Sequence, residues 1–254
     1  MNPRPTREEL SEYYDAAYDP YEADHGLLAD EVARAKESGE FRHIKIVPGM
    51  KILDVGCGGG AFLRTIRELG ADVFGVEPSS FGVKTARNAG IPVFHGPLEA
   101  FAESDEFPGA VFDVITSNHV VEHHEDPVSL LRLMSSMLKP GGYVWFSVPN
   151  IQSRTARALK GKWHAVDVPY HLMQFSPESA ALTVRKAGMN LKTLYTSSLP
   201  SATMASLYDI WRFKYFIPRK LTQNLPFLRA LGAPYSRSMD SKNEGEAIIV
   251  EAGN

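Results

Sequence analysis

The chain has 254 residues, enough for one large α/β domain that carries an insertion. Its 44% of hydrophobic residues predicts a packed core, and its net charge of −3 excludes the strongly basic class of dedicated nucleic-acid binders. Cys57 is the single cysteine, which excludes an intrachain disulfide and favours a reducing, cytoplasmic setting. No apolar run follows residues 1–5, so we expect no signal peptide, and no stretch of the sequence is long and apolar enough to predict a membrane span.

The N-terminal segment has a helical pattern over residues 7–40, and we assign 1–47 as a helical cap. A buried strand is predicted next, at Ile52-Leu53-Asp54-Val55. Gly56, Gly58 and Gly60 crowd the turn that follows, and apolar residues at helical spacing continue over 61–69. Glycines at such a turn let a ligand approach the backbone N–H groups at the helix start, which predicts a nucleotide-type cofactor site.

Two cofactors suit this turn. Gly56-x-Gly58-x-x-Ala61 fits the dinucleotide fingerprint, whereas Gly56-x-Gly58-x-Gly60 with Asp54 upstream fits S-adenosylmethionine (SAM) binding. The next strand ends in Glu77, and a carboxylate at that point is suited to bind ribose hydroxyls. Both NAD and SAM carry a ribose, so the turn and Glu77 leave the choice open.

The rest of the chain alternates strands with helices, which predicts a parallel sheet whose ligand lies beyond the carboxyl ends of the strands. We expect an α/β, Rossmann-like, doubly wound, mixed sheet of seven strands, with the last strand antiparallel to the sixth. The sheet domain is assigned to 48–198 and 244–254, and 199–243 is an insertion. Further strands are predicted at 92–95, 112–117, 143–148, 191–196 and 247–251, and helices begin at Pro78-Ser79-Ser80, Asp126-Pro127 and Ser176-Pro177.

The order and spacing of five segments resemble class I SAM-dependent methyltransferases. They are Ile52-Leu53-Asp54-Val55-Gly56-Cys57-Gly58, Val76-Glu77, Phe112-Asp113-Val114-Ile115, Val120-Val121-Glu122-His123 and Leu138-Lys139-Pro140-Gly141-Gly142. A further stretch, Asp167-x-Pro169-x-His171-Leu172-x-x-Phe175-Ser176, resembles a subgroup with ubiquinone-type and sugar-modifying O-methyltransferases. The resemblance implies that SAM is the cofactor and that a small-molecule acceptor receives a methyl group.

The resemblance also implies roles for particular residues. Asp54 and the turn 56–60, with Gly56, Cys57, Gly58 and Gly60, would hold the methionine part of SAM, and Glu77 would bind its ribose. Pro78, Leu98 and Glu99 would lie by the adenine, and Asn118 and His119 near the sulfonium. Many relatives have an acidic residue directly after the glycine at the third strand. Here Pro97 follows Gly96, so Glu99 or backbone groups are the candidates for the adenine amino contact.

Methyl transfer to a hydroxyl needs aligned reactants and benefits from a base that accepts the proton. We name His171 and His119 as candidate catalytic residues; packing or structural roles are their alternatives. For Glu122-His123 we expect a contact at a helix start. His119-x-x-Glu122-His123 also spells a zinc-hydrolase pattern, which needs a helix that carries both histidines, and we reject it. Some quinone-type relatives use a metal ion, and Glu122, His123 and a nearby acidic residue could hold one. We nevertheless predict a site without a metal.

The acceptor remains open between sugar, phenolic or quinone, and lipid-like small molecules, with oxygen favoured over nitrogen or carbon. A NAD(P)-dependent oxidoreductase and a SAM-binding protein without turnover are the alternative functions. Aromatic and basic residues mix in the insertion over 208–220, which suits a peripheral membrane contact, an anionic-substrate lid or a dimer contact. We expect no nucleic-acid partner, and the oligomeric state stays open.

Overall fold

A sheet of seven strands forms the centre of the molecule in a computed structural model that describes residues 37–106, 111–198 and 234–254. A small antiparallel hairpin precedes it, formed by β1 (Glu40–Phe41) and β2 (Ile44–Lys45). The strands of the main sheet are β3 (Lys51–Val55), β4 (Asp72–Glu77), β5 (Val93–His95), β6 (Phe112–Asn118), β7 (Leu138–Pro149), β8 (Asn190–Ser197) and β9 (Ala247–Gly253). Their order across the sheet is β5-β4-β3-β6-β7-β9-β8.

Helices connect these strands. They are α1 (Ala61–Glu68), α2 (Ser80–Asn88), α3 (Leu98–Ala102), α4 (Pro127–Ser136), α5 (Arg154–Leu159) and α6 (Pro177–Lys186), and residues 234–240 are also helical. Within the described residues, no helix is both long enough and apolar enough to cross a membrane.

Apolar side chains cover both faces of the sheet, as expected for a doubly wound arrangement. On one face, Phe101 of α3, Leu131 of α4 and Val184 of α6 belong to one buried cluster. On the other face, Ile66 of α1 and Ala86 of α2 belong to a second cluster, together with residues of the β1–β2 hairpin. The prediction of a Rossmann-like, doubly wound, mixed sheet is therefore confirmed.

The pairing register brings several strand ends to one edge. Strands β3, β4, β5, β6 and β7 are parallel neighbours, and β9 runs antiparallel to both β7 and β8. Asp54 pairs with Gly75 on one side and with Thr116 on the other. Glu77, His95 and Asn118 therefore end their strands at the same edge as the turn after β3.

Side-chain caps start three of the helices where the sequence predicted them. The Ser79 hydroxyl accepts the Gly82 N–H at α2, and the Asp126 carboxylate accepts the Val128 and Ser129 N–H groups at α4. At α6, Ser176 and Ser179 form a reciprocal capping box, with Pro177 at the first turn. These contacts join residues that are close in sequence, so the helix starts could be predicted from the sequence.

The structure differs from the prediction at the end of the N-terminal cap. Residues 37–38 are helical, but 40–45 form the β1–β2 hairpin, with Arg42 and His43 at positive φ angles of 50° and 65° in the turn. Two successive positive φ angles are typical of a tight hairpin turn, which usually contains glycine or asparagine. Neither residue is present here, so the sequence carried no turn signal. Most of the predicted cap, and residues 199–233 of the insertion, lie outside the described residues.

Gly56 and Gly58 have positive φ angles of 74° and 53°, but their surroundings differ. A Cβ on Gly56 would stand 2.4 Å from a Val120 methyl carbon, whereas a Cβ on Gly58 would meet nothing within 4 Å. Gly58→Ala should therefore lower the free energy of unfolding by only about 1 kcal/mol, the cost of a positive φ angle for a residue with a side chain. Gly56→Ala should lower it by roughly a further 1–3 kcal/mol through steric overlap with Val120. Denaturant unfolding of both variants checks this, and equal stability losses would contradict it.

Candidate functional site

The turn after β3 is fastened to the neighbouring strand. The N–H groups of Gly56 and Cys57 both donate to the carbonyl oxygen of Val76, at 2.8 and 3.2 Å. Gly60 then caps α1 in the left-handed region, with φ 78°. Because the space beside Gly58 is open, a ligand can approach the backbone at that point of the turn.

Glu77 ends β4 as a buried carboxylate, 2% exposed. Its Oε2 accepts the Gly58 N–H and its Oε1 accepts the Ser79 N–H, each at 2.8 Å. Burial raises the pKa of Glu77 above its ordinary value, although these two hydrogen bonds oppose the rise. Gly82 of α2 packs so closely that a Cβ there would lie 2.9 Å from the Glu77 Cγ. Each carboxylate oxygen retains a second lone pair for a further donor.

Asp54 is buried in the middle of the sheet, 4% exposed. The Thr116 hydroxyl donates to its Oδ1 at 2.6 Å. Burial raises the pKa of Asp54 to about 6; the Thr116 hydrogen bond and the Arg42 charge lower it, and the Glu77 charge adds to the rise. Arg42 lies in the β1–β2 turn with its guanidinium carbon 5.0 Å from the centroid of the Phe62 ring. No sequence motif marks the hairpin, so Arg42 could not be predicted as a neighbour of Asp54.

Cys57 is a buried residue within the glycine turn. Burial strongly raises the pKa of its thiol, so the thiolate is not formed at neutral pH. A Cβ on Gly75 of β4 would stand 2.5 Å from the Cys57 sulfur. Cys57 is thus a small packing residue beside β4, without nucleophilic chemistry.

The three residues predicted to lie by an adenine have different surroundings. Pro78 is exposed, whereas Leu98 is 2% exposed and belongs to the core. Glu99 is bound across the cleft: the His124 Nε2 lies 2.8 Å from the Glu99 Oε1. His124 Nδ1 accepts the Asp126 N–H, so Nε2 carries the hydrogen and donates to Glu99. Glu99 therefore joins the segment after β5 to the segment after β6.

Asn118 and His119 follow each other at the carboxyl end of β6. The Ser147 hydroxyl of β7 donates to the Asn118 Oδ1 at 2.6 Å. His119 has a positive φ of 56°, unusual for a residue with a side chain, and its side chain is 46% exposed. Its Nδ1 lies 3.1 Å from the Glu122 Oε1.

Glu122 lies in a 3₁₀ turn, Val121–His123, and its side chain is fully buried. Burial by itself would raise the pKa of Glu122. The hydrogen bond with His119 and the charges of His119, His123 and His171 outweigh burial and hold that pKa below its ordinary value. A buried carboxylate therefore stays ionised among three imidazoles. The sequence predicted a helix-start contact for this residue, with metal binding as the alternative. It did not indicate the approach to His171, which is distant in sequence.

His171 and His123 form the inner part of this group. The His171 side chain is 9% exposed, and its Nε2 lies 3.9 Å from the Glu122 Oε1. The two imidazole rings meet edge to face with their centroids 4.6 Å apart. Burial lowers the pKa of His123, and the charge of His171 adds to this while Glu122 opposes it. The rejected zinc-hydrolase pattern requires one helix that carries both His119 and His123. Here His119 follows the end of β6 and His123 lies in the 3₁₀ turn, so this part of the chain has no such helix.

The stretch 167–176 has a clear structural basis. Leu172 and Phe175 are 5% and 3% exposed and anchor it to the core, and Ser176 caps α6. The Met173 N–H donates to the Glu122 carbonyl oxygen at 3.0 Å. The spacing of these residues holds His171 against the turn after β6.

A glycine turn beside a strand-end carboxylate, on a sheet of this strand order, defines a Rossmann-like cofactor-binding protein. The sequence pattern of the methyltransferase-domain family matches residues 18–194. The chain belongs to this family, the class I SAM-dependent methyltransferases, and SAM is its cofactor.

Two relatives are named ubiquinone biosynthesis O-methyltransferase. The protein of Chromobacterium violaceum is 32% identical over 163 residues, which cover 60% of this chain and 69% of that protein. The protein of Methylococcus capsulatus is 35% identical over 133 residues, which cover 51% of this chain and 53% of that protein. The chain thus matches between about half and two thirds of their length.

Solved structures agree on the fold. A SAM-dependent methyltransferase from Archaeoglobus fulgidus superposes with a TM-score of 0.58 at 17% identity, covering 93% of this chain and 97% of that one. With the family assigned, Gly56-x-Gly58-x-Gly60 is the relevant spacing of the turn, and the NAD alternative is not supported.

The buried Asp54 generates a pH-dependent stability. The unfolded chain binds this proton with a pKa near 3.8 and the folded protein with one of about 6. Stability should therefore fall as the pH rises between these values, by up to about 3 kcal/mol, because the folded protein holds the proton more tightly. Asp54→Asn should stabilise the ligand-free protein at pH 7 and lose this dependence.

Thermal unfolding between pH 4 and 8 measures the effect. Asp72→Asn is the matched control, because Asp72 begins the neighbouring strand with an exposed side chain. An Asp54→Asn variant that is less stable than the wild type at pH 7 would contradict the prediction.

Proposed function

We propose that this chain transfers the methyl group of SAM to a hydroxyl oxygen of a small molecule. The observation that carries the proposal is the His119–Glu122 pair. A half-exposed imidazole ends β6 at the cofactor edge, and its Nδ1 lies 3.1 Å from a buried, ionised carboxylate. The names of the relatives, ubiquinone biosynthesis O-methyltransferases, support oxygen as the acceptor atom.

We propose that SAM binds at the edge of the sheet where the parallel strands end. Asp54 and the turn 56–60 receive the methionine part, and Glu77 receives the ribose hydroxyls with its remaining lone pairs. Backbone groups near Leu98, the exposed Pro78 and the Glu99 carboxylate flank the adenine. Asn118 and His119 lie nearest the transferred methyl group.

SAM, when bound, supplies a methyl group on a positively charged sulfur, which departs as a neutral thioether. The residues of the chain then have three tasks: to align the acceptor oxygen with the methyl carbon, to exclude water and to accept the hydroxyl proton. Glu122 holds the His119 Nδ1–H, so His119 presents Nε2 as its proton acceptor. No described residue forms a hydrogen bond with this Nε2.

His119 is the better-supported base of the two candidates. His171 is nearly buried, and its Nε2 lies 3.9 Å from both Glu122 and Asp167 carboxylate oxygens. An incoming hydroxyl reaches a half-exposed imidazole more readily than one enclosed by acidic groups. The proposal therefore assigns proton transfer to His119 and leaves His171 to another role.

The proposed class of acceptor molecule rests on the names of the relatives. Phenolic or quinone-type, sugar and lipid-like hydroxyl compounds all remain candidates, and the relatives favour the first of these. The peripheral membrane contact considered for 208–220 lies outside the described residues. A cytoplasmic location is part of this proposal, supported by the single cysteine.

Cofactor binding at the turn can be tested with Gly58→Ala. The added methyl group would enter the open space beside the backbone, so we expect affinity for S-adenosylhomocysteine to fall at least about tenfold. Gly49→Ala is the matched control, because Gly49 also has a positive φ, of 82°, and nothing within 4 Å. Calorimetry measures both affinities. Wild-type affinity in Gly58→Ala would remove the proposed role of the turn.

Methyl transfer can be tested with isotopically labelled SAM and a metabolite extract, followed by mass spectrometry of the labelled product. His119→Ala should lower the rate on that product's precursor by roughly a hundredfold or more, as loss of a general base does, with partial rescue by added imidazole. His43→Ala, at an exposed position in the β1–β2 turn, is the control. Label on nitrogen or carbon would overturn oxygen as acceptor, and an unchanged rate in His119→Ala would overturn the base.

A further inference from the structure

A hydrogen bond between two side chains crosses the edge of the sheet at which the cofactor is proposed to bind. The His124 Nε2 donates to the Glu99 Oε1 at 2.8 Å. Glu99 lies in the first turn of α3, which follows β5, and His124 directly follows the 3₁₀ turn after β6. In the strand order β5-β4-β3-β6, the strands β4 and β3 lie between these two segments. The bond therefore spans the ends of the two strands that carry the proposed cofactor contacts.

The imidazole of His124 is held at both of its ring nitrogens. Its Nδ1 accepts the Asp126 N–H at 3.0 Å, so its Nε2 carries the hydrogen that Glu99 accepts. Asp126 is itself the N-cap of α4, a helix with a buried face in the core. The side chain of His124 is only 21% exposed. His124 is thus a hydrogen-bond donor whose direction is fixed before any ligand binds.

The segment that carries Glu99 is fastened beside Glu77, the carboxylate proposed for the ribose. The Gly96 N–H, at the start of this segment, donates to the Glu77 carbonyl oxygen at 3.0 Å. Leu98 and Phe101 are buried and anchor α3, whereas the Glu99 side chain is 44% exposed and does not share their buried face. A nucleoside whose ribose binds Glu77 therefore has its base beside Glu99.

The bond with His124 changes what the Glu99 carboxylate can do. A carboxylate accepts hydrogen bonds at about four positions, so the donor of His124 leaves capacity for a further donor from a ligand. A glutamate side chain that is partly exposed samples several rotamers, and fixing one of them on binding costs entropy. A donor that already holds the carboxylate reduces this cost, and the oxygens keep one direction.

We propose that His124 is a positioning residue for the nucleobase: it orients the Glu99 carboxylate to accept a hydrogen bond from the amino group of the SAM adenine. The inference rests on the cofactor placement proposed above and deepens it. The resemblance already implies that Glu99 lies by the adenine, so the new element is the action of His124 on Glu99, 25 residues away in the chain. A site built in this way selects adenine over a base that lacks the amino donor.

Paired affinities for two nucleosides test this role. S-adenosylhomocysteine and S-inosylhomocysteine, which has a carbonyl oxygen in place of the adenine amino group, are titrated against the full-length protein by calorimetry. We expect the wild type to prefer the adenine compound at least about tenfold. His124→Phe removes the donor and should lower this preference about fivefold or more, and Glu99→Gln should abolish it, because a carboxamide can also donate to the carbonyl oxygen. His124→Gln, whose amide can still donate to Glu99, should retain most of it.

Glu103→Gln is the matched control, because Glu103 follows α3 directly and is exposed, and its preference should be that of the wild type. Circular dichroism checks folding, and the ratio of two affinities does not depend on the folded fraction of a sample. If His124→Phe does not fold, His124→Ala takes its place.

The possible outcomes separate this inference from the cofactor placement. A merely structural role of His124 would lower both affinities by one factor and leave their ratio unchanged, and that result would overturn the proposal. Equal affinities of the wild type for the two compounds would also overturn it, while the cofactor placement stands. A wild type that does not bind S-adenosylhomocysteine would overturn both.

Discussion

The buried carboxylate of Glu77 is the interaction on which the cofactor edge depends. Its two oxygens hold the Gly58 N–H of the turn after β3 and the Ser79 N–H at the start of α2. One side chain thus fixes two loops against the end of β4. Together with the bonds from the Gly56 and Cys57 N–H groups to the Val76 carbonyl oxygen, the Gly58 bond restricts the conformations of a glycine-rich turn that would otherwise be flexible.

The sheet and its helix starts could be predicted from the sequence because their signals are local. Apolar strands such as Ile52–Val55 and caps such as Asp126 and Ser176 depend only on near neighbours in the chain. The same holds for the glycine turn, where the required backbone angles restrict the residue type. Local signals of this kind also located the edge at which the candidate site lies.

The parts that escaped prediction depend on distant contacts. The positive charge of Arg42 lowers the pKa of Asp54. Arg42 is placed there by a hairpin whose turn contains neither glycine nor asparagine. Glu122 and His171 are far apart in sequence; the packing of Leu172 and Phe175 and the hydrogen bond from the Met173 N–H to the Glu122 carbonyl oxygen bring them close. The sequence shows that His171 and Glu122 are present, but no sequence pattern indicates that they lie close together. The positive φ angle of His119, which pairs with Glu122, is also not indicated by any residue pattern.

The antiparallel strand β9 has a consequence for how such a protein can change. Ser197 at the end of β8 pairs with Ala247 at the start of β9, so the segment between them leaves and rejoins the sheet at one point. That point lies at the edge where β7 ends at Pro149, opposite Ala247. Because the pairing fixes both ends, the connection can change in length without altering a strand register, provided that Glu244 and Glu246 keep their bonds to Arg154 and Thr155. A change of length in this connection therefore leaves in place the parallel strands that carry Asp54, Glu77 and Asn118.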